Sequence, residues 1–423
     1  MITLVAFFAL LMLGIPISMV VLGATVISIM VYSNTPMQIV VQMMFSGLNN
    51  YVLLAIPFFV ISGSIASRGH TAKYLVDVMT IIFGRIRGGS VIAAIATCTF
   101  FAALSGSSVA TVVAIGTIMI PSLIKLKYPD KMAIGSITVG GSLGILIPPS
   151  TPMIALCVAY NASVGRMFIG GVVPGLILAV AWGVFVYVVC KKKKLGETVR
   201  YSGKEALGIF MKAIPALIYP IFVLGSIYGG LATPTEAACI SIVYVVFIEF
   251  FVYKTISFKN LFTIMKDSII TSASITFIIS ASQVFTWFIT TKQMPTIISS
   301  WIIETVSGVA MFLLIIIAFF IVVGCFMELV SLLIIMGPIL TPTLAAFGID
   351  PVHFGIICIM AAEMSFVTPP FGLNLMVSMN INQRSLWEVV GACIPYMLIL
   401  MVIMLVVAFI PDLSLWLPRL VMG

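Results

Sequence analysis

Two apolar stretches of this 423-residue chain are each interrupted by a double proline. The first lies between Gly144 and Pro152, and the second lies between Ser365 and Asn374. Proline has no N–H and clashes with the preceding helical turn, so each break leaves backbone carbonyls without a helical partner. In a membrane such backbone survives only inside protein or around a cavity. Open carbonyls and hydroxyls suit hard cations, and paired helix breaks in two halves indicate a transport site.

Two short turns in other apolar stretches could supply the facing ligands. Ser105-Gly-Ser-Ser108 lies at the centre of one stretch, and Gly324-Cys-Phe-Met-Glu328 interrupts another. Glu328 is an acid at membrane depth, and such residues are costly enough to be functional by default. Two alternatives remain open: the serines could serve close helix packing, and Glu328 could be a helix-end charge near the surface.

The composition requires a membrane around these elements. Hydrophobic residues make up 62% of the chain, and charged residues only 8%, against roughly 25% in soluble domains. Several segments reach the roughly 20 apolar residues that cross a bilayer. The chain has no P-loop and only two histidines, which gives no support to an enzyme. The net charge of +8 does not indicate nucleic acid, because the basic residues lie in short loops and mark the cytoplasmic side.

The basic loops give a topology. The cluster Lys191 to Lys194 divides the chain roughly in half and should face the cytoplasm. Basic loops also flank residues 90–120, a stretch too short for two crossings of about 20 residues each. We therefore predict a re-entrant hairpin that enters from the cytoplasmic side. Residues 309–340 are followed by a loop without Lys or Arg, 341–353, so a second hairpin should enter from the opposite face.

The same order of elements in opposite orientations indicates an internal repeat. Four pairs of glycines or prolines are separated by 221 positions: Gly116 and Gly337, Pro121 and Pro342, Pro148 and Pro369, and Pro149 and Pro370. The alternative is ordinary kinks in unrelated helices. The predicted fold is an all-α polytopic membrane protein with an inverted-topology repeat, two re-entrant helical hairpins and two proline-broken helices.

This pattern predicts five regions. Short mixed segments at 37–48 and 257–264 are predicted to be interfacial arms. The regions are N-terminal scaffold helices and an arm at 1–67; a first transport half at 68–167, with a hairpin at about 90–120 and a broken helix at about 132–160; central scaffold helices, a basic loop and a second arm at 168–289; a second transport half at 290–387, with a hairpin at about 309–340 and a broken helix at about 352–380; and a C-terminal helix at 388–423.

Seven short motifs follow one another along the whole chain, and although no single motif is specific, their order and spacing together are. They are Gly14-Ile-Pro-Ile17, Ala55-Ile-Pro-Phe58, Ser105-Gly-Ser-Ser108, Gly144 to Met153, Gly229 to Ala238, Gly337-Pro-Ile-Leu-Thr-Pro342 and Thr368 to Asn374. Through these motifs the chain resembles, over essentially its whole length, the large membrane (M) subunit of tripartite ATP-independent periplasmic (TRAP) transporters, within the ion transporter superfamily.

The resemblance implies a function and its partners. It implies an elevator-type secondary transporter in the bacterial cytoplasmic (inner) membrane, which uses sodium ions rather than ATP. The cargo would be an organic acid, such as a dicarboxylate or sialic acid, delivered by a periplasmic substrate-binding protein. A small membrane (Q) subunit would complete the transporter, with no cofactor besides Na⁺. The nearest alternative is a stand-alone ion-coupled anion carrier that needs no binding protein.

The resemblance also implies that each hairpin tip forms one ion site with its partnering helix break. Residues bordering the breaks could hydrogen-bond a substrate carboxylate or hydroxyl, or could instead cap the broken helices. The first ion site would comprise Ser105, Gly106, Ser107, Gly144, Pro148, Pro149 and Thr151; the second would comprise Gly324, Cys325, Met327, Glu328, Thr368, Pro369, Pro370 and Phe371; the substrate contacts would be Ser150, Thr151 and Asn374.

Several residues depart from the family pattern or stay outside these sites. Many members carry aspartate at the position of Glu328, and the position of Thr111 is often acidic. Glu236 follows Pro234, which suits the first helical position, so a first-turn acid there is predicted to stabilise a helix N-terminus. Glu363 is a further acid at membrane depth, and the sequence suggests no partner for it.

Overall fold

The computed structural model describes residues 2–33, 35–199 and 201–422, without the side chains of Ile2 and Leu4. Within these ranges all regular secondary structure is helical. Eight helices are long and apolar enough to cross a membrane, and two bent helix pairs raise that number to as many as ten among the described residues. The prediction of an all-α multi-pass membrane protein is confirmed.

The first half begins with five helices and continues into the first hairpin and the first broken helix. A 3-10 turn, Tyr51–Leu54, precedes the fourth helix. The helices are α1 (Ile2–Met12), α2 (Ile17–Tyr32), α3 (Gln38–Leu48), α4 (Ala55–Arg68), α5 (Thr71–Phe83), α6 (Gly89–Ser105), α7 (Ser108–Lys125), α8 (Asp130–Gly140), α9 (Leu143–Leu146) and α10 (Thr151–Tyr160).

The second half repeats this order after four long central helices. A π-helical segment, Ile248–Val252, extends the third of them. The helices are α11 (Val164–Lys193), α12 (Gly203–Tyr228), α13 (Pro234–Phe247), α14 (Phe258–Thr291), α15 (Met294–Thr305), α16 (Val309–Gly324), α17 (Leu329–Phe347), α18 (Pro351–Phe366), α19 (Leu373–Asn382), α20 (Leu386–Phe409) and α21 (Asp412–Met422).

The two helical hairpins are α6–α7 and α16–α17, and the two broken helices are α8–α10 and α18–α19. The first broken helix bends by 42° at its break. Both double prolines, Pro148-Pro149 and Pro369-Pro370, contain a cis peptide bond. Whether the hairpins are re-entrant in the bilayer, and on which face each enters, stays a prediction.

One segment differs from its sequence-based interpretation. Residues 257–264 are expected to form a separate interfacial arm, but Ser257 caps α14 and residues 258–264 form the start of that continuous helix of 34 residues. No glycine or proline occurs between Phe258 and Thr291 to end the helix, so the arm and the crossing segment fuse into a rod of about 51 Å at 1.5 Å per residue. The first arm is a separate helix, α3, and its Gly47 packs against Gln283 of α14.

The two halves interlock around the repeat-related glycines. A Cβ added at Gly337 of α17 would lie 2.8 Å from the Cβ of Ala159 in α10, and one added at Gly116 of α7 would lie 3.5 Å from Ile381 in α19. The distal part of each broken helix therefore packs on the hairpin of the other half. This exchange supports the internal repeat and makes hairpins and breaks one packed unit.

Candidate functional site

The first hairpin tip is a tight turn closed by its own hydroxyl groups. Gly106 has φ +56°, in the left-handed region that favours glycine. Ser107 caps α7, its Oγ accepting from the Ala110 N–H at 3.4 Å. Thr111 Oγ1 donates to the Ser107 carbonyl at 2.8 Å and lies 2.9 Å from Ser105 Oγ. Thr111 thus contributes a neutral hydroxyl to the tip.

The first helix break is buried along its whole length. Ser150 Oγ donates to the Ile145 carbonyl at 2.7 Å and accepts from the Met153 N–H at 3.4 Å, so Ser150 caps α10. Every residue from Gly144 to Pro152 is buried. Ser150 therefore has the local capping role that the sequence left open, and its contact with a substrate stays a prediction.

The first tip and the first break meet backbone to backbone. A Cβ added at Gly144 would lie only 2.5 Å from the carbonyl oxygen of Ser107. A Cβ added at Gly106 would lie 2.8 Å from the carbonyl oxygen of Pro149, and Thr151 Oγ1 donates to the Gly106 carbonyl at 3.4 Å. The structure thus brings the residues predicted for the first ion site together, with carbonyls and hydroxyls as the available oxygens.

A residue that sequence reasoning missed also borders the first tip. Gly63 of α4 lies against the tip, since a Cβ there would be 2.6 Å from the Ser105 carbonyl oxygen. Its neighbour Ser62 accepts a hydrogen bond from the Tyr219 hydroxyl at 3.1 Å. The small Ser62-Gly-Ser64 sequence inside an apolar helix could have indicated this close approach.

At the second tip, Glu328 caps the hairpin helix α17. Its carboxylate accepts from the Val330 N–H at 3.0 Å and from the Ser331 N–H at 2.8 Å, and Ser331 Oγ donates to it at 2.9 Å. The side chain is exposed. Glu328 therefore acts as a helix-end acid, which the N–H groups of a first turn stabilise. Direct contact between Glu328 and an ion stays a prediction.

The second tip meets the second break through side chains. A Cβ added at Gly324 would lie 2.7 Å from Ser365 Oγ, and Cys325 Sγ lies 4.0 Å from the Ser365 carbonyl oxygen. The ring centroids of Phe326 in the tip and Phe371 in the break are 6.0 Å apart. Ser365 was not among the predicted ligands.

The second break is more open than the first. Pro370 and Phe371 are exposed, and Thr368, Pro369 and Met327 are half-buried. Thr368, just past the end of α18, donates through its Oγ1 to the Met364 carbonyl in the last turn of that helix at 2.6 Å. The predicted residues of the second site thus lie near one another, but the second tip and the second break do not make the close backbone contact that the first tip and the first break make.

Asn374 joins the two halves inside the protein. It is fully buried, and its Nδ2 donates to Ser108 Oγ at 2.7 Å and to the Thr138 carbonyl at 3.2 Å. Thr138 Oγ1 in turn donates to Ser378 Oγ at 2.7 Å. These bonds hold α19 against α7 and α8. Asn374 does not cap its helix, and a substrate contact by this amide stays a prediction.

Glu236 has the structural role predicted for it. Thr233 Oγ1 accepts from the Glu236 N–H, and the Glu236 carboxylate accepts from the Thr233 N–H at 2.8 Å, which is a capping box with Pro234 at the first helical position. Thr235 Oγ1 donates to the Tyr51 carbonyl at 3.2 Å and ties α13 to the turn before α4.

The available donor atoms favour a hard monovalent or divalent cation over a transition metal. Within the described ranges no group of three or more His, Cys, Asp or Glu residues could hold a metal ion. The first tip instead presents backbone carbonyls and hydroxyls, which are ligands of hard cations.

Comparison with known proteins gives one consistent result. Residues 4–413 match a family described as "Tripartite ATP-independent periplasmic transporter, DctM component". The C4-dicarboxylate TRAP transporter large permease protein DctM of Pseudomonas aeruginosa is 39% identical over 93% of this chain and 92% of its own length. The isethionate TRAP transporter permease protein DctMQ of Oleidesulfovibrio alaskensis is 32% identical over 97% of this chain and 65% of its own length.

A solved structure shares the fold. The YdaH transporter of Alcanivorax borkumensis superposes with a TM-score of 0.60, covering 89% of this chain and 87% of that chain at 15% sequence identity. At this identity the likeness extends to the arrangement of helices alone.

Proposed function

The chain belongs to the tripartite ATP-independent periplasmic transporter family as its DctM component, and we propose that it imports an organic acid together with sodium ions. It is a multi-pass membrane protein of a family of large permease subunits, not of enzymes. We place it in the inner membrane of a bacterium, with a small membrane subunit and a periplasmic binding protein as partners. A relative whose name joins M and Q supports the small subunit as a partner.

A carboxylate is the proposed cargo, with a C4-dicarboxylate the first compound to test and sialic acid the second. A relative covering nearly the whole chain at 39% identity is named for C4-dicarboxylates. In a tripartite system the binding protein selects the substrate first, so the permease needs only a class-level fit to a small anion.

Sodium coupling is supported chiefly by the close contact between the first hairpin tip and the first helix break. The carbonyl oxygens of Ser107 and Pro149 lie at this contact, next to the Cβ positions built at Gly144 and Gly106, and the Gly106 carbonyl accepts a hydrogen bond from Thr151 Oγ1. A sodium ion bound there would join the tip to the break. Joining the two elements would couple ion binding to the geometry around a substrate between the halves.

An elevator movement is proposed because the hairpins and breaks form one packed unit. Helices α10 and α19 each pack on the hairpin of the other half and so hold this unit together, while α4 packs against both α13 and α14 beside it. A rigid unit sliding along such a scaffold would carry ions and cargo without unfolding either site.

Reconstituted uptake tests this proposal. The chain is inserted into liposomes with the small subunit, and the loaded binding protein is added outside with labelled C4-dicarboxylate. We expect uptake only with a sodium gradient and with both partners present. Vigorous uptake without the binding protein would identify a stand-alone anion carrier instead, and uptake indifferent to sodium would remove the coupling.

A further inference from the structure

Glu363 is a fully buried acid without a partner. It lies near the end of α18, and neither carboxyl oxygen has a hydrogen bond to any described residue. It is five residues before Thr368, or about 7.5 Å along a helix axis. Nothing in the sodium and substrate sites described above uses it.

The tyrosines beside α18 face away from Glu363. The ring of Tyr160 lies 5.6 Å from that of Phe354, which is nine residues before Glu363 and hence on the opposite side of the helix. Tyr396 points to α8, where its ring lies 3.2 Å from a Cβ built at Gly135. Neither phenol is placed to donate to the buried acid.

The side of α18 that carries Glu363 is apolar. Ile356 and Val352 lie two and three turns before Glu363, hence on the same side of the helix, and they pack on Gly170 of α11. Helices α9, α16, α17 and α19, which also pack against α18, contain no titratable residue. The remaining titratable groups on elements packed against α18 are Cys157 on α10; Arg166, Tyr187, Cys190, Lys191, Lys192 and Lys193 on α11; Glu388 and Cys393 on α20; and Asp412 and Arg419 on α21.

The nearby charges are engaged or distant. Arg166 pairs with Asp350, the cap at the start of α18, at 3.4 Å, and Arg419 pairs with Asp412 at 2.9 Å. Asp350 is thirteen residues from Glu363, or about 20 Å along the helix. The lysines that end α11 are exposed, and Glu388 pairs with Arg384 at 3.7 Å. His353 is ten residues before Glu363, and its ring nitrogens bond Ser414 and the Ala408 carbonyl.

An isolated carboxylate cannot stay ionised in such surroundings. Moving an unpaired charge from water into apolar protein costs far more than burying the neutral group, so the group takes up a proton instead. The repeat shows that the fold does not require an acid here. The equivalent position, 221 residues earlier, is Ser142, which is buried and satisfies its hydroxyl by donating to the Val139 carbonyl at 2.6 Å.

We propose that Glu363 is a proton-binding site, and that its proton crosses the membrane with the substrate. The proposal rests on the transport function proposed above and adds a second coupling ion to it. In the conformation described here the carboxyl holds the proton away from water. In a conformation that admits water from the cytoplasm, the carboxyl O–H gives its proton to water, and the carboxylate regains one from the outer side before the next cycle.

The protonation state is measured directly by infrared spectroscopy of the transporter with its small subunit at neutral pH. We expect the C=O stretch of a protonated carboxylic acid, and its loss in Glu363→Gln. Glu304→Gln is the matched control, because Glu304 is an exposed acid on α15. A parent spectrum without this band, or a band that persists in Glu363→Gln, would overturn the proposal.

Transport assays separate a proton site from a structural acid. In Glu363→Gln we expect net uptake to fall to background while exchange of internal for external substrate continues, since exchange needs no proton release. Parent uptake should rise as the outside is acidified, and the variant should lose this response. If the Glu363→Gln variant fails to fold, Glu363→Ser provides a second variant, with the residue type found at the equivalent position Ser142. Net uptake and a pH profile equal to the parent in either folded variant would refute proton transport.

The exchange assay also distinguishes this proposal from the main one. Sodium-dependent exchange that needs the binding protein would uphold the proposed transport function even if Glu363 proved to be a structural residue. Parent exchange that does not depend on sodium would instead contradict the main proposal. The infrared spectra would then still test whether Glu363 binds a proton.

Discussion

At the scale of single residues, the first site depends on two glycines that let backbones touch. Gly144 lies against the Ser107 carbonyl and Gly106 lies against the Pro149 carbonyl. Any side chain there would separate the tip from the break. These two glycines therefore set how close the carbonyl oxygens of the tip and of the break can lie.

Gly144→Ala should weaken sodium binding. The new Cβ would lie 2.5 Å from the Ser107 oxygen, so the tip must move away, and overpacking of this kind costs typically about 1–3 kcal/mol. We expect a roughly tenfold or greater rise in the sodium concentration for half-maximal uptake, which corresponds to about 1.4 kcal/mol. Gly208→Ala is the control, because Gly208 on α12 has open space around it. An unchanged sodium dependence in Gly144→Ala would count against the site.

The contact between the first tip and the first break could be predicted because both lie in motifs rich in serine, glycine and proline. The partners of Asn374 could not. Its hydrogen bond to the Thr138 carbonyl spans 236 positions, and it forms only because α19 crosses to the other half. Gly63 was missed for a related reason: the small residues around it indicate a close approach, but local sequence does not say that the first tip is what approaches.

At the scale of elements, Glu249 joins two connections that are far apart in sequence. It is fully buried in the π-helical segment after α13, and it accepts from the N–H groups of His70 at 3.0 Å and Thr71 at 2.9 Å. The hydroxyls of Thr71 and Thr255 also donate to it. The start of α5 is thus capped by a residue of another helix.

Glu249→Gln should destabilise the folded protein. An amide offers one accepting oxygen in place of two, and a hydrogen bond to a charged group is worth about 1.5–3 kcal/mol. We expect a lower midpoint of thermal unfolding in detergent, with Glu304→Gln unchanged as the matched exposed control. Equal midpoints for all three proteins would show that Glu249 does not hold these connections together.

Most elements could be predicted from breaks in apolar periodicity, because prolines, glycines and basic loops mark where helices end. The fused arm of α14 is the instructive exception. Short length and mixed polarity suggested a separate interfacial helix at 257–264, but without a glycine or proline the helix simply continues. Composition indicates whether a helix lies at the interface or inside the membrane, whereas a glycine or proline is needed to predict where the helix ends.

At the scale of the whole molecule, the two halves of the repeat have the same order of elements, but equivalent positions in them are packed differently. Gly337 is pressed against Ala159, whereas Gly116 has ordinary contact distances to its neighbours. The first break is buried and the second is partly exposed. The same substitution at two equivalent positions should therefore affect stability differently in the two halves.

Gly337→Ala should destabilise the protein and Gly116→Ala should not. At Gly337 a Cβ would meet both the Cβ and the carbonyl oxygen of Ala159 at 2.8 Å, which forces α10 and α17 apart. At Gly116 the nearest atoms are 3.5 Å away, and alanine favours a helix over glycine by about 1 kcal/mol. Thermal unfolding of both variants checks the difference, and identical midpoints would contradict the asymmetry.

The exchange of broken-helix ends between the halves also constrains how the protein is made. When the ribosome has delivered α7 and α10 to the membrane, the helices that cover them, α19 and α17, are still unsynthesised. During synthesis, the faces of α7 and α10 that α19 and α17 later cover therefore stay without these partners until nearly the whole chain has emerged. Truncation anywhere before Asn382 would therefore leave an intermediate for quality control to degrade rather than a half-size domain.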